Sequence, residues 1–562
     1  MEDLKYLDIL KLNQEQKFDK SLPLMTVSVL SNTTITQVKD VIELKCKNLA
    51  GNIKLNIGDY DNIVQDSERY SQSNLVIIFW DIINIIEDFQ FQIELMSINE
   101  IDALIDKTKN EISLVLKNLS KASKVLFNKF SVSAFNWMSV ETGRLDYVCA
   151  ELNEFLKNSQ KINLSLVDLN KVFLKNGVES CIDYRYYSSS KSLYTIGFYK
   201  SYVKLIEPYL RVMLGRVKKV LILDCDNTLW GGVIGEDGIQ RIQINNTSPK
   251  GNIFREVQVL IKKMAREGVL VNLNSKNNFE DVQEVLDKKG FITLSNEDLI
   301  VKKVNWNNKV QNINEIITEL NVGIDSAVFV DDSDFEVNLV RENIKEIDVL
   351  QVPKNFYDYP FKIREIAQMF YSGEKSKEDV KRVEMYKTEQ KRKDSTEKFK
   401  NLNDYIESLE IVMNVVVDDR DNVDRLSQMT QKTNQFNLTT IRYSVSDVIT
   451  FIESENYKVF SLDVRDKYGN YGITGMSILK VDGEVFEIKT FLLSCRILGR
   501  GIEKMFYKYI VDYCSGLGCT ILRSSYVKTI KNSQVADFFE LNGMNVIERN
   551  DKETLFELKL SN

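Results

Sequence analysis

Two aspartates two residues apart stand where an apolar run stops: Val220-Leu-Ile-Leu223 leads into Asp224-Cys-Asp226-Asn-Thr228-Leu-Trp230-Gly-Gly232. A carboxylate can attack phosphorus once a cation cancels the charge repulsion, and a second one nearby can protonate the leaving oxygen and then activate water. Asp224 suits the first role and Asp226 the second. Three further polar groups follow in order. Val269-Leu-Val-Asn-Leu273 ends in Asn274-Ser275-Lys276-Asn277, Lys309 opens a helical pattern from Val310 to Leu320, and Ala327-Val-Phe-Val330 ends in Asp331-Asp332. Ser275, Lys309 and Thr228 are candidates to hold phosphoryl oxygens. Mg²⁺ takes hard oxygen ligands, and Asp224, Asp226, Asp331 and Asp332 are the candidate donors.

Composition narrows the chemistry. The 562 residues contain no histidine. That excludes Ser-His-Asp and Cys-His hydrolysis, His-ligated zinc and imidazole bases. The seven cysteines, Cys46, Cys149, Cys181, Cys225, Cys495, Cys514 and Cys519, are odd in number and form no CxxC pair, against a metal cluster or disulfide framework. The net charge of −7 leaves no basic excess for nucleic acid. The longest purely apolar run, Leu75 to Trp80, is far short of the ~20 residues of a membrane helix. The acidic start Met1-Glu-Asp-Leu4 has no leader pattern. These features predict a cytoplasmic protein without nucleic-acid or membrane partners.

The chemistry needs elements to position it. At about 150 residues per domain the length suggests three to four domains. In residues 1–205 strands at Leu24–Leu30, Asn52–Ile57, Leu75–Trp80 and Val125–Phe130 alternate with helices such as Ile35–Leu49, which implies βαβ units and a parallel sheet. Residues 206–370 hold the apolar strands named above, buried on both faces as in a doubly wound sheet, whose carboxyl ends are where ligands bind. A charged linker helix is expected over 371–402, including Gln390-Lys-Arg-Lys-Asp394, and a third α/β block over 403–562.

The ordered set of an apolar strand with DxDxT, a strand-end Ser, a Lys and a strand-end acidic pair resembles the haloacid dehalogenase (HAD) superfamily. The runs Asp224 to Gly238, Asn305-Trp306-Asn-Asn-Lys309 and Val328 to Glu336 resemble its FkbH-like subfamily, with Ser333-Asp334 where that subfamily usually has Asn-Pro. The resemblance implies a glyceryltransferase/phosphatase that takes a glyceryl group from 1,3-bisphosphoglycerate, removes phosphate, and loads the unit onto an acyl carrier protein for polyketide or related pathways. A simple Mg²⁺-dependent phosphatase in sugar or surface-polysaccharide metabolism is the alternative. The resemblance also implies a cysteine intermediate. Cys225 beside a metal could attack an acyl phosphate; equally, the middle residue of DxD can be a buried hydrophobe whose pKa two aspartates raise. Cys495 is a second candidate. Spacing predicts an uncapped site. Thr228 to Ser275 has room for a flap (Trp230 to Gly238) and one helix (Ile253–Glu267), and Ser275 to Lys309 for one helix, one strand and a turn.

Near the C-terminus, the strand Ile488–Leu493 runs into Ser494-Cys-Arg496-Ile-Leu-Gly499-Arg500-Gly501, which opens a helix to about Tyr513. A loop of this kind exposes N–H groups to an anion. It resembles the pyrophosphate loop of GNAT acyltransferases, and Tyr526 and Asn532 to Phe538 look GNAT-like too. Gly499 and Gly501 are expected to leave room for phosphate. Lys432-Thr-Asn434-Gln-Phe436-Asn437-Leu-Thr-Thr440 reads either as a surface for a pantetheine chain or as a capped turn. The resemblance implies CoA or carrier-bound phosphopantetheine as ligand, with Arg496, Gly499, Arg500, Gly501, Asn434, Tyr526 and Asn532 as contacts. The first block resembles the degenerate SGNH-like, flavodoxin-like domain that precedes the HAD domain in such proteins. Lacking histidine it cannot run a triad, so Ser31 reads as structural and the domain as docking or scaffold.

Overall fold

The computed structural model describes residues 3–18, 22, 24–85, 90–136, 140–159, 163–244, 248–288, 292–373, 386, 408–467, 469–494, 497–529 and 532–560. Cys495, Arg496 and almost all of the stretch 371–402 lie outside the described residues. The chain divides into two compact units, residues 1–214 with 441–450 and residues 215–440 with 451–562. The α/β class expected from the sequence is the one observed.

The first unit is built on a parallel sheet of β1 (Met25–Ser31), β2 (Ile53–Ile57), β3 (Leu75–Phe79), β4 (Lys124–Asn128) and β5 (Leu164–Val167), in the order β2-β1-β3-β4-β5. That is the flavodoxin-like order. Side chains alternate between faces: Val27, Val29 and Ile77 join one core cluster, Val76 and Ile78 another. Both faces are apolar because crossover helices cover both. The strand order reverses between β1 and β3, where such sheets take ligands. Here that crevice is stitched shut. Asn32 Nδ2 donates to the Asp81 carbonyl at 2.7 Å, and the Asp81 N–H returns a bond to Asn32 Oδ1 at 2.7 Å. Tyr194 O–H donates to the Asp81 carboxylate. Ser31 is buried and pairs with the Thr33 hydroxyl.

The second unit opens with β6 (Val220–Leu223), β7 (Leu270–Ser275), β8 (Leu299–Val304), β9 (Ala327–Asp331) and β10 (Asp348–Gln351), all parallel, in the order β10-β9-β6-β7-β8. This is the doubly wound arrangement, with β6 at its centre. Local signals set the helices: Ser248 caps the helix Pro249–Arg266, and Asn308 caps Lys309–Leu320. Among the described residues, the gap from Thr228 to Ser275 holds a flap and one helix, and the gap from Ser275 to Lys309 one helix and one strand; neither holds a separate domain. The flap is closed by reciprocal backbone bonds between Gly231 and Gln243.

The remaining sheet contains β11 (Val412–Val417), β12 (Phe436–Asn437), β13 (Tyr457–Asp466), β14 (Gly469–Asp482), β15 (Val485–Leu493), β16 (Ile521–Val527), β17 (Asn545–Arg549) and β18 (Glu553–Lys559). Its order is β11-β13-β14-β15-β16-β18-β17, with β12 paired to β15. It is antiparallel except for β15 and β16, which are joined by the helix Ile502–Gly516. Those two strands pair only from Val485–Ile521 to Ile488–Ser524. Beyond that register β12 lies between them: Phe436 pairs with Leu493, Leu438 N–H donates to Phe491, and Val527 N–H donates to Leu438.

Candidate active site

β6, β7 and β9 deliver their last residues to one place. Asp224 follows β6, tied by its N–H to the Val330 carbonyl on β9 at 3.0 Å. Lys309 begins the helix after β8, and its carbonyl is held by Asn274 Nδ2 at 3.0 Å. Its buried Nζ lies 2.9 Å from Asp224 Oδ1 and 2.5 Å from Asp331 Oδ2. Burial alone would lower the Lys309 pKa; the two carboxylates outweigh it and hold the ammonium above its ordinary value. Burial and the neighbouring Asp224 raise both members of the acidic pair, Asp332 to about 6. One carboxylate oxygen from each of Asp224, Asp331 and Asp332 lies within 4.8 Å of the other two. The set is all-oxygen and hard, which fits Mg²⁺. Ser333 N–H fixes Asp331 through its other oxygen at 2.9 Å.

Asp226 is separate from this trio. Its Oδ1 accepts from Trp230 Nε1 at 2.8 Å and from Ile234 N–H at 3.0 Å, both on the flap side. Its Oδ2 accepts from Asn277 Nδ2 at 2.9 Å. Asp226, expected among the metal ligands, is not one of the three acids whose oxygens converge, and both of its carboxylate oxygens accept hydrogen bonds. Burial pushes its pKa up, with Asp224 adding, against the donors that favour the charged form. Ser275, at the end of β7, is buried beside it and accepts from Asn277 Nδ2 at 3.1 Å. Thr228 is fully buried and its hydroxyl has no hydrogen-bond partner, while its carbonyl accepts from Tyr359 O–H at 3.2 Å. Asn277 carried no expectation; its place two residues after Ser275 on a strand-end loop was the available signal.

Cys225 resolves toward the second of its two readings. It is fully buried with Leu221, Leu223 and Trp230 in the core. Burial and Asp224 drive its thiol well above the ordinary value, and Ser275 and Lys309 do not reverse this. A thiol buried in apolar surroundings is a weaker nucleophile than an exposed one.

The residues expected to grip pantetheine are placed differently. Arg500 is turned inward: it donates to Tyr471 O–H, stacks over that ring and lies 3.9 Å from the buried Asp466. Asn532 is fully buried. Its Nδ2 donates to the carbonyls of Asn437 and Val527 at 2.9 Å each, and its Oδ1 accepts from Thr529 and from Tyr526 O–H. Tyr526 and Asn532 thus clamp the chain's own segment between β15 and β16, because buried amides must be paired. Asn434 is half-buried just past the helix Val423–Lys432. Gly499 and Gly501 have φ of 78° and 75°. That is the left-handed region which glycine adopts at no steric cost, and a Cβ on either would meet open space.

No family profile and no curated protein matches this chain. Among solved structures, 65% of the chain is similar in fold to the N-terminal part of the protein BF1531 from Bacteroides fragilis, described as containing a phosphatase domain complexed with Mg. The two share 24% identity, with 98% of that chain covered and a TM-score of 0.56. Two shorter matches each cover 27% of this chain at a TM-score of 0.22. One is the ribosomal-protein-S18-alanine N-acetyltransferase from Escherichia coli, 12% identical over 95% of its length. The other is the PaiA N-acetyltransferase from Thermoplasma acidophilum in complex with coenzyme A, 15% identical over 100% of its length.

Proposed function

We propose that the chain is a Mg²⁺-dependent phosphoryl-transfer enzyme of the HAD type, acting on a phosphorylated small acid through Asp224. The observation that carries this reading is the convergence of Asp224, Asp331 and Asp332 around the buried Lys309 ammonium. The likeness in fold to a phosphatase-containing structure complexed with Mg supports it. Asp224, Asp331 and Asp332 would hold Mg²⁺, which when bound supplies charge cancellation at the phosphoryl oxygens. Asp224 forms a bond to phosphorus as the bond to the leaving oxygen breaks, and Asp226 gives its proton to that oxygen. Asp226 then takes a proton from water as the water attacks the aspartyl phosphate, releasing phosphate and restoring Asp224. Burial of Asp226 raises its pKa, the direction that favours a general acid.

The finer reading follows the FkbH-like resemblance: a glyceryl unit from 1,3-bisphosphoglycerate is loaded onto an acyl carrier protein, in polyketide or related biosynthesis, inside the cytoplasm. The gaps without a cap suit a large acceptor. The burial of Cys225 favours the second reading, a phosphatase of sugar or surface-polysaccharide metabolism that forms no thioester.

Phosphate release from phosphorylated small acids tests the first statement. It should vanish with EDTA and with Asp224→Asn, and full turnover by that variant would sink the reading. Mass spectrometry separates the finer ones: with 1,3-bisphosphoglycerate generated in place and a phosphopantetheinylated carrier, a glyceryl adduct on the carrier marks transfer. Phosphate release without an adduct marks the phosphatase. Loading by Cys225→Ala should match wild type.

A further inference from the structure

We infer that Asn277 is a positioning residue of this site: its amide ties the proton-carrying oxygen of Asp226 to the hydroxyl of Ser275. The inference rests on the phosphoryl-transfer reading above. Asp226 leaves β6 and Ser275 ends β7, so the two come from different strands. Asn277 Nδ2 reaches both, Asp226 Oδ2 at 2.9 Å and Ser275 Oγ at 3.1 Å, from a side chain on a residue only 5% exposed.

Asp226 Oδ1 already serves two donors on the flap side, Trp230 Nε1 and Ile234 N–H. That leaves Oδ2 to exchange a proton with substrate and water. Two bonds to one oxygen pin that oxygen, yet the carboxylate plane can still turn about it. Asn277 supplies the third point and fixes the plane. Through the same N–H group it sets how far Oδ2 stands from Ser275, one of the groups expected to hold phosphoryl oxygens. Proton transfer demands a donor within hydrogen-bond reach of the leaving oxygen, so a carboxylate free to turn loses rate. The loss falls on substrates whose leaving group needs the proton.

The full-length protein with Mg²⁺ tests this, using sn-glycerol 3-phosphate, whose alkoxide leaves only when protonated, and p-nitrophenyl phosphate, whose phenolate leaves without help. For Asn277→Ala and Asn277→Leu, the single-turnover rate of leaving-group release, which precedes attack of water on the aspartyl phosphate, should fall roughly ten- to hundredfold on the alkyl substrate, within the range one general acid supplies, with KM changed less than about twofold. On the aryl substrate the rate should fall less than about threefold. Asp226→Asn should show the same leaving-group signature, and the double variant should be no slower than Asp226→Asn alone. Equal losses on both substrates, a loss confined to KM, or no loss would overturn the role of Asn277 while leaving the phosphoryl-transfer reading standing. An Asp224→Asn protein that turns over both substrates like wild type would overturn that reading and this inference together. The leucine variant keeps the side-chain volume, and a melting curve matching wild type shows that neither result reflects unfolding.

Discussion

Lys309 carries one positive charge between two buried carboxylates, and its removal would leave both without their cation. Taking one partner from a buried ion pair typically costs about 3–5 kcal/mol. Lys309→Met should lower stability by about that much in urea melts with EDTA, and Mg²⁺ should restore more stability to the variant than to wild type, since three carboxylates then converge without an opposing charge. An unchanged Mg²⁺ response would deny that Lys309 and the metal share this site. Asp81 is a different case, a buried acid held by hydrogen bonds. Burial raises its pKa to about 6, against the hydrogen bonds from Tyr194, Ile83 and Ile82 that favour its charge. The folded state therefore binds more protons than the unfolded state between the ordinary carboxylate range and about 6. Its contribution to stability is present below that range and lost as pH rises through about 6. At about 1.4 kcal/mol per unit the loss is on the order of 2–3 kcal/mol. Asp81→Asn keeps an acceptor for Tyr194 and removes the charge. Its stability relative to wild type should rise between pH 4 and pH 7, and a pH-independent difference would refute the assignment.

The loop before the helix Ile502–Gly516 and the strand β12 are the elements of the last sheet that the sequence singled out for a ligand. Gly501 at φ 75° stands in open space, so Gly501→Ala meets backbone strain of roughly 1–2 kcal/mol and no clash. A fall in melting temperature without any change in phosphate release is the expected outcome. The β12 segment is held at both edges by backbone bonds and from below by Asn532. Asn532→Ala orphans several of these groups at about 1–3 kcal/mol each. Amide exchange should then quicken at Leu438 and Val527 while the paired amides of β13 and β14 keep their protection. Uniform quickening would mean that the sheet opens as one piece and that β12 is no separate lock.

Across the whole molecule, two sheets close their ligand edges with their own residues, the first through Asn32, Asp81 and Tyr194, the last through Phe436 to Leu438. The chemistry gathers at the carboxyl end of β6, β7 and β9. Phe436→Ala should therefore leave release of phosphate from small substrates within about twofold of wild type, because Phe436 packs in a core cluster separate from the one around β6. The sequence made β6 and β9 legible because apolar runs ending in acid have few alternatives, and Asp224, Lys309 and Asp331 converge as their order suggested. It could not show which polar groups would be spent internally. Arg500 reads as an anion-binding cation until the fold brings Tyr471 and Asp466 against it. Asn532 reads as a ligand contact until Asn437, from far upstream, takes its amide. Cys225 admitted two readings from sequence, and its packing with Leu221 and Leu223 favours the buried one. Partner choice over long separations has no local periodicity, so the place of Asn277 two residues after Ser275 set it near the site without marking it as the bridge to Asp226.

The placement of β12 also sets an order of events during synthesis. Leu438 bonds to Phe491 on one side and to Val527 on the other. Its second partner is made about 90 residues later, so at ~5–20 residues per second the segment waits roughly 5–18 s with an unpaired edge. A nascent chain stalled before Val527 would carry Phe436 and Leu438 unprotected, and such an edge invites pairing with other chains. Insertion of β12 is a late step, and emergence of Val527, rather than formation of the early hairpin β13–β14, ends that exposure.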